Sequence, residues 1–342
     1  MSVEALRISA VVPMYNAAAT IERCLAPLVA MLERAEIAEI IVVDDCSTDH
    51  SAEIVSRYPS VRMIQMAAQG GPGAARNKAA QVADGSHLWF VDSDVVVAED
   101  AARVLARALS ETKAAAVFGC YDDRPAATNF LSQYKNLVHH YYHSRGSENA
   151  STFWAGCGAV ERNLFKALGG FDAESYRHPS IEDIELGYRM RDAGARIVLE
   201  RALQGKHLKE WRLGNLLHTD IFRRAIPWSR LMLERKSITN DLNVGTGERM
   251  RAVLALSTIL AFLAWSLGFV SPWAATILAV ATVGANRDLI RFFRTNRGLL
   301  FAAKAFLFHQ LYYIYSSCAF AFATAQHLRA GHGTQRGVGR IG

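Results

Sequence analysis

The sequence predicts an α/β domain with a mostly parallel, doubly wound sheet, followed by a group of apolar helices. Three observations lead there. Short continuous apolar runs alternate with amphipathic stretches from residue 8 to 119, the order of strand, crossover helix and parallel strand. Two of those runs, 40–43 and 88–91, end abruptly in carboxylates. Residues 252–286 carry no charge and 299–325 almost none, in a 342-residue chain that is 20% charged. The length leaves room for a domain of about 250 residues and a further part.

Taken in order, residues 8–13 read as a strand buried on both faces, with Met14-Tyr15-Asn16 as the loop at its carboxyl end. A helix over 18–34 follows, with Ile21, Leu25, Leu28 and Leu32 on one face. Residues 40–43 form the second strand and end in Asp44 and Asp45; Cys46-Ser47-Thr48-Asp49 then starts a helix that runs to about Tyr58. Residues 61–66 give a third strand. The loop Gln69-Gly70-Gly71-Pro72-Gly73 opens a helix over 74–83. Its glycines fit neither a Walker loop nor G-x-G-x-x-G, so it is either a plain loop or a phosphate cradle made of free N–H groups.

The fourth strand, 88–91, ends in Asp92-Ser93-Asp94. In an open sheet ligands lie beyond the carboxyl ends of the strands, so this D-x-D faces a site. Magnesium or manganese takes carboxylate oxygens there together with nucleotide phosphates, and Asp92 and Asp94 suit that task; the same three residues equally suit a turn and a helix cap. A helix over 99–109 and a strand over 115–119 follow. Tyr134, His139, His140, Tyr141, Tyr142 and His143 lie on a helix and read as packing. In Phe153-Trp154-Ala155-Gly156-Cys157-Gly158 the small residues let backbone approach something closely. A short helix then leads to Gly169-Gly170-Phe171-Asp172. The next helix, from Ser180 to Ala193, holds Glu182, Asp183 and Glu185 in its first turn. These acids compensate the helix dipole, or one of them is held ionised at neutral pH as a general base. A strand over 196–199 precedes Lys206-His207-Leu208-Lys209-Glu210-Trp211.

The net charge is +6, with much of the basic excess in 201–251 and 287–297, beside the apolar segments. That collar fits anionic lipid head groups. No nucleic-acid-binding motif accompanies it, and no nucleic-acid partner is expected. Five cysteines without a C-x-x-C pair argue against a disulfide framework and a zinc knuckle, and place the soluble part in a reducing cytosol. Residues 1–7 contain Glu4 and lead into a strand too short for a signal peptide.

Five stretches together resemble the inverting family 2 glycosyltransferases of the GT-A fold: Val11-Val12-Pro13-Met14-Tyr15-Asn16; Val42-Val43-Asp44-Asp45-Cys46-Ser47-Thr48-Asp49, with Cys46 where Gly is more usual; Gly73-Ala74-Ala75-Arg76-Asn77; Asp92-Ser93-Asp94; and Gly169-Gly170-Phe171-Asp172 followed by Glu182-Asp183. The resemblance covers roughly residues 8–210. It implies a GT-A catalytic domain, a nucleotide-sugar donor of the UDP or GDP class, and a divalent metal, manganese or magnesium. It implies that Pro13, Tyr15 and Asp44 hold the base with Asp45 close by, that Arg76 lies near base or diphosphate, and that the Gly156 backbone faces the donor. By the same resemblance Asp92 touches ribose and metal, Asp94 and His207 take the metal, and Asp183 is the general base beside Glu182. The Q-x-x-R-W signature of processive polymerases is missing, which implies single addition. The acidic-leucine-glutamine sequence of polyprenyl-phosphate sugar transferases is missing too, which leaves the acceptor open.

At the carboxyl end, 253–270 is long enough to span a bilayer, Ser271-Pro272 breaks it, and 273–285 is a short second arm. Residues 286–297 look like a basic interfacial helix, and 299–325 form a third segment interrupted by Lys304 and His309. The expected organisation is a catalytic domain (1–210), an interfacial connection (211–250), a membrane region (251–328) with crossings at about 252–270, 272–286 and 299–325, and a polar tail (329–342). Positive charges flanking the first two segments favour a hairpin in the inner or plasma membrane with the catalytic domain in the cytoplasm. The function expected is transfer of a sugar to a hydroxyl of a lipid-linked or cell-surface glycan. The alternatives are a polyprenyl-phosphate sugar transferase and a catalytically silent nucleotide-sugar binding partner.

Overall fold

The computed structural model describes residues 6–237 and 240–337, and the chain divides after Trp211 into two units. The first is built on β1 (Ile8–Met14), β2 (Glu39–Asp44), β3 (Val61–Gln65), β4 (His87–Val91), β5 (Val95–Val97), β6 (Ala116–Tyr121), β7 (Cys157–Glu161) and β8 (Ile197–His207). They form one sheet in the order β3-β2-β1-β4-β7-β6-β8-β5. Seven helices pack with it: α1 (Ile21–Glu33), α2 (Ser51–Ser56), α3 (Gly71–Val82), α4 (Ala101–Thr112), α5 (Phe130–Arg145), α6 (Arg162–Ala167) and α7 (Glu182–Asp192).

Both faces of the sheet are buried, which is why the strands are apolar without interruption. Along β1, Ile8, Ala10, Val12 and Met14 enter the cluster shared with Ile21, Leu25 and Leu28 of α1 and Leu105 of α4. Val11 points the other way, into the cluster of Phe90, Phe118, Phe165 and Leu186. Trp89 and Phe90, adjacent on β4, therefore fill opposite layers and both are fully buried. Each such side chain contributes about 1.5–3 kcal/mol through removal from water.

The sheet is mixed, which corrects the mostly parallel expectation. β7 runs antiparallel to both β4 and β6, and β5 runs antiparallel to β8. The remaining pairs, β1 with β2 and β4, β2 with β3, and β6 with β8, are parallel. Both antiparallel strands are absent from the sequence reading for a physical reason. β5 is three residues long and follows a turn directly, and β7 contains Gly158 and shows no alternation, so neither carries a period-2 signal.

The second unit starts with a helical stretch, α8 (Leu213–His218) and α9 (Ile226–Glu234), joined by a π-helical segment at Thr219–Ala225. α10 (Thr246–Ser266) and α11 (Pro272–Ala285) form a hairpin. Its turn has Gly268 at φ 79° and Pro272 at the start of α11, and the Thr258 and Thr282 hydroxyls meet at 2.7 Å across it. α12 runs from Arg287 to Gly337 and is broken at Gly298, where φ is 82°. That break falls where the sequence reading divides the interfacial helix, 286–297, from the third apolar segment, 299–325. The backbone stays helical to Gly337, where the sequence reads as a polar tail; residues 338–342 lie outside the described residues.

Among the described residues, one helix, Thr246–Ser266, is long and apolar enough to cross a membrane. α11, at 14 residues, is about 21 Å long. A polar cluster links the three long helices: Glu248 accepts from the Tyr313 hydroxyl at 2.6 Å and pairs with Arg251 at 2.6 Å, and Tyr313 also reaches Asn286 at 3.4 Å. The apolar surface, by contrast, faces outward. Leu260, Leu263, Trp273, Ile277, Val280, Leu299, Leu300 and Leu307 are all exposed.

Candidate active site

β1, β2 and β4 run parallel, so their carboxyl ends bring Met14-Tyr15, Asp44-Asp45 and Asp92-Ser93-Asp94 to one edge of the sheet. Pro13 sits inside β1 and is buried, whereas Tyr15, just past the strand, is exposed. Asp44 is buried and accepts from the Ser47 backbone N–H at 3.1 Å. Cys46 has φ 63°, a left-handed conformation that glycine adopts freely, which fits its place where the family carries Gly.

Asp45 is occupied within the protein. Its carboxylate accepts the Gly70 N–H at 2.7 Å and the Gly71 N–H at 2.8 Å. These bonds tie the glycine loop to the end of β2. α3 begins at Gly71 instead of 74, and the Gly70 and Gly71 N–H groups, engaged by Asp45, are not open to a phosphate.

Arg76, on α3, is buried between two carboxylates. Its Nη2 reaches Asp92 at 2.6 Å and its Nη1 reaches Glu182 at 3.2 Å, with Phe171 beneath the guanidinium at 5.4 Å. The other Glu182 oxygen accepts the Ser180 N–H at 2.8 Å. Arg76 and Glu182 therefore act as positioning residues that tie the D-x-D turn to the first turn of α7. Removing one partner leaves buried charge without a counter-ion, which costs about 3–5 kcal/mol. Arg76→Met is expected to lower the unfolding free energy by about that much in denaturant titration, and an unchanged midpoint contradicts this role.

Asp94 meets His207 because β5, which starts one residue after it, pairs with the end of β8: Val95 lies opposite His207. The Asp94 Oδ2 to His207 Nε2 distance is 3.5 Å, and the Leu208 N–H donates to the Asp94 carbonyl at 2.8 Å. Tyr121 stacks on the imidazole with ring centres 4.3 Å apart, and the Lys209 ammonium lies 4.4 Å above the Trp211 ring. Burial alone would raise the Asp94 carboxyl, but the His207 hydrogen bond and the His207 and Lys209 charges outweigh it and hold the group below its ordinary value. Asp92 moves the other way: burial raises it, Arg76 opposes, and Asp94 adds to the rise.

The residues fit a divalent metal. One carboxylate and one imidazole, with Asp92 alongside, leave the remaining positions to diphosphate oxygens and water, as suits magnesium or manganese. No group of three His, Cys, Asp or Glu side chains is gathered for a metal among the described residues.

Asp183 opens α7. Its Oδ2 accepts the Ala155 N–H at 3.1 Å and its Oδ1 accepts the Ile184 N–H at 2.8 Å. The sequence reading expects the helix end to keep it ionised. Burial, followed by the neighbouring Glu182 charge, instead pushes its pKa up to about 7. A carboxyl raised that far can exchange a proton near neutral pH. The Gly156 carbonyl accepts the Asp92 N–H at 3.1 Å, and a Cβ on Gly156 would lie 2.5 Å from the Trp154 ring.

α7 approaches the 152–153 backbone through Gly187, where a Cβ would stand 2.5 Å from the Phe153 nitrogen. Gly187→Ala is expected to cost about 1–3 kcal/mol by overpacking and to shift the turn that carries Asp183. A stability and turnover equal to the parent chain would contradict that packing.

Tyr121, Trp154, Lys209 and Trp211 form part of this edge; the sequence reading assigns the first three no role and places Trp211 in the interfacial connection, whereas Trp211 belongs to the first unit. The stack of Tyr121 on His207 depends on β6 and β8 pairing, for which no local signal exists; the spacing of Lys209 and Trp211 from His207 was the available hint. His139 and His143 stack at 3.8 Å and pack against Trp154, as expected of a packing stripe.

Residues 9–169 match the family model described as Glycosyl transferase family 2; Glu182, Asp183 and His207 lie beyond that span. The chain is 42% identical over 101 residues to the poly(ribitol-phosphate) beta-glucosyltransferase of Bacillus spizizenii, covering 28% of this chain and 16% of that one. It is 35% identical over 118 residues to glycosyltransferase GlyG of Streptococcus pneumoniae, covering 33% and 38%. It thus spans less than two fifths of the length of either curated relative. Among solved structures it is similar to the mannosyltransferase PcManGT from Pyrobaculum calidifontis, in complex with GDP-Man and Mn2+: TM-score 0.61 and 21% identity, over 92% of this chain and 87% of that one. Residues 9–169, a little under half of the chain, thus resemble a family 2 glycosyltransferase, a transferase enzyme family, and the fold is GT-A-like.

Proposed function

We propose that the protein is a membrane-anchored, metal-dependent, inverting glycosyltransferase that moves a sugar from a UDP- or GDP-sugar to a hydroxyl of a lipid-linked or cell-surface glycan. The observation that carries the reading is the Arg76 bridge, which fixes the Asp92-Ser93-Asp94 turn and the Glu182-Asp183 turn to each other. Leaving-group and nucleophile chemistry are thereby held in one frame. The names of the relatives, a beta-glucosyltransferase and a glycosyltransferase, support sugar transfer.

Pro13, Tyr15 and Asp44 hold the base at the ends of β1 and β2, and the donor lies along the D-x-D. Asp94 and His207, with Asp92 beside them, hold the metal; when bound it neutralises charge on the departing diphosphate. Asp183 takes the proton from the acceptor hydroxyl as that oxygen attacks the anomeric carbon. A single displacement from the opposite face inverts the centre.

The outward apolar face of α10, α11 and α12 supports insertion in the inner or plasma membrane with the catalytic unit in the cytoplasm, as a hairpin or as three crossings. Isolated membranes containing the protein, given labelled nucleotide sugars with manganese or with chelator, test the reading. Metal-dependent label in glycan or in lipid-linked sugar is expected. Label only as lipid-phosphate sugar would favour the polyprenyl-phosphate transferase, and label in neither would favour a silent binding partner.

A further inference from the structure

The second unit holds a cavity of about 430 Å³ lined by Val283, Gly284, Arg287, Ile290, Arg291 and Arg294. Two chemistries meet there. Arg287, Arg291 and Arg294 are spaced by four and three residues, so they share one face of α12, and all three are exposed. One carboxylate, Asp288, lies 4.0 Å from Arg287. On the α11 side, Ile277, Val280 and Val283 recur every three residues and are 66%, 67% and 49% exposed, a stripe that ends at the cavity. Between the two sits Gly284, where an added Cβ would meet nothing within 4 Å.

Three guanidiniums draw an anion, and their planar forks suit phosphate oxygens. The stripe draws hydrocarbon instead. An amphiphile with an anionic head satisfies both at once, whereas a free anion leaves the stripe in water. We infer that this cavity binds an anionic phospholipid, with an acyl chain in the apolar cavity and along Ile277, Val280 and Val283 and the phosphate at its rim beside the exposed Arg287, Arg291 and Arg294. The inference rests on the membrane reading of the proposed function. It adds a defined lipid site to what would otherwise be diffuse attraction of a basic collar.

The full-length chain in neutral detergent, titrated with phosphatidylglycerol, phosphatidylcholine or inorganic phosphate and counted by native mass spectrometry, tests it. Phosphatidylglycerol should be retained roughly 10²-fold more tightly than phosphatidylcholine, the preference three surface cations give an anionic lipid. The Arg287→Gln, Arg291→Gln, Arg294→Gln triple variant should lose at least about tenfold of that preference. Gly284→Leu should lose it too, since it fills the cavity while keeping every charge. A control that neutralises exposed Arg23, Arg57 and Arg107 of the first unit should keep it. Equal loss in that control, full retention in Gly284→Leu, or equal binding of inorganic phosphate would overturn the site. The membrane reading is separately read by alkaline carbonate washing: the chain stays with the membranes if it holds, and its release removes that reading and the lipid site together.

Discussion

Asp183→Asn is expected to lower turnover by roughly 10²–10⁴-fold, the loss typical of a positioned general base, while leaving donor binding near that of the parent. The geometry gives two further signatures. Because the pKa of Asp183 is pushed to about 7 from an ordinary 3.8, kcat/KM of the parent should fall tenfold per unit below about pH 7 and level off above it; the variant's residual rate should lack that limb. Stability carries the opposite sign. A carboxyl whose folded pKa is raised binds its proton more tightly when folded, so its contribution is present at low pH and is lost as pH rises from about 4 to 7. Replacing it with a neutral amide at pH 7.5 removes that penalty but leaves either the Ala155 or the Ile184 N–H facing an NH2 group, a loss of about 1–3 kcal/mol that offsets the gain, so the unfolding midpoint should stay near that of the parent. A variant that is inactive and also markedly less stable would assign Asp183 a structural role instead.

Asp94→Ala is the second large effect. Metal stabilisation of a leaving diphosphate is worth several kcal/mol, so its loss should lower kcat/KM by roughly 10²–10³-fold. Unlike Asp183→Asn, it should also abolish the metal dependence of nucleotide binding, since His207 and an Asp92 already paired with Arg76 make a poor site for a hard cation. The two variants thus separate by binding rather than by rate. Nucleotide binding measured by calorimetry with manganese and with chelator distinguishes them, and metal-dependent binding retained in Asp94→Ala would contradict the assignment.

What the sequence made legible is what depends on short-range pattern. The apolar runs of β1, β2 and β4 and their acidic ends could be read directly, because strands buried on both faces need no alternation and carboxylates break them sharply. The resemblance then placed roles on those residues. What the sequence hid depends on pairing and burial. β5 is three residues long, yet it brings His207 to Asp94. Asp45 looked like half of an acidic pair facing a ligand, but both its oxygens hold the glycine loop. Arg76 looked like a donor contact and is buried between Asp92 and Glu182. Asp183 looked ionised from its helix-end position, and only the surrounding packing and Glu182 raise it. In the second unit the apolar segments were visible from composition. The break at Gly298 is legible too, where the basic run ends, but the end of α10 is not, since Gly268 takes positive φ at a point where hydropathy alone continues.

Release of free nucleoside diphosphate by the detergent-purified chain, across a panel of nucleotide sugars with manganese, magnesium or chelator, tests the central claim most directly. Slow hydrolysis needs no acceptor. Metal-dependent release from a uridine- or guanosine-linked sugar is expected, lost in Asp94→Ala and reduced in Asp183→Asn. No release from any donor, with no metal-dependent nucleotide binding, would contradict it.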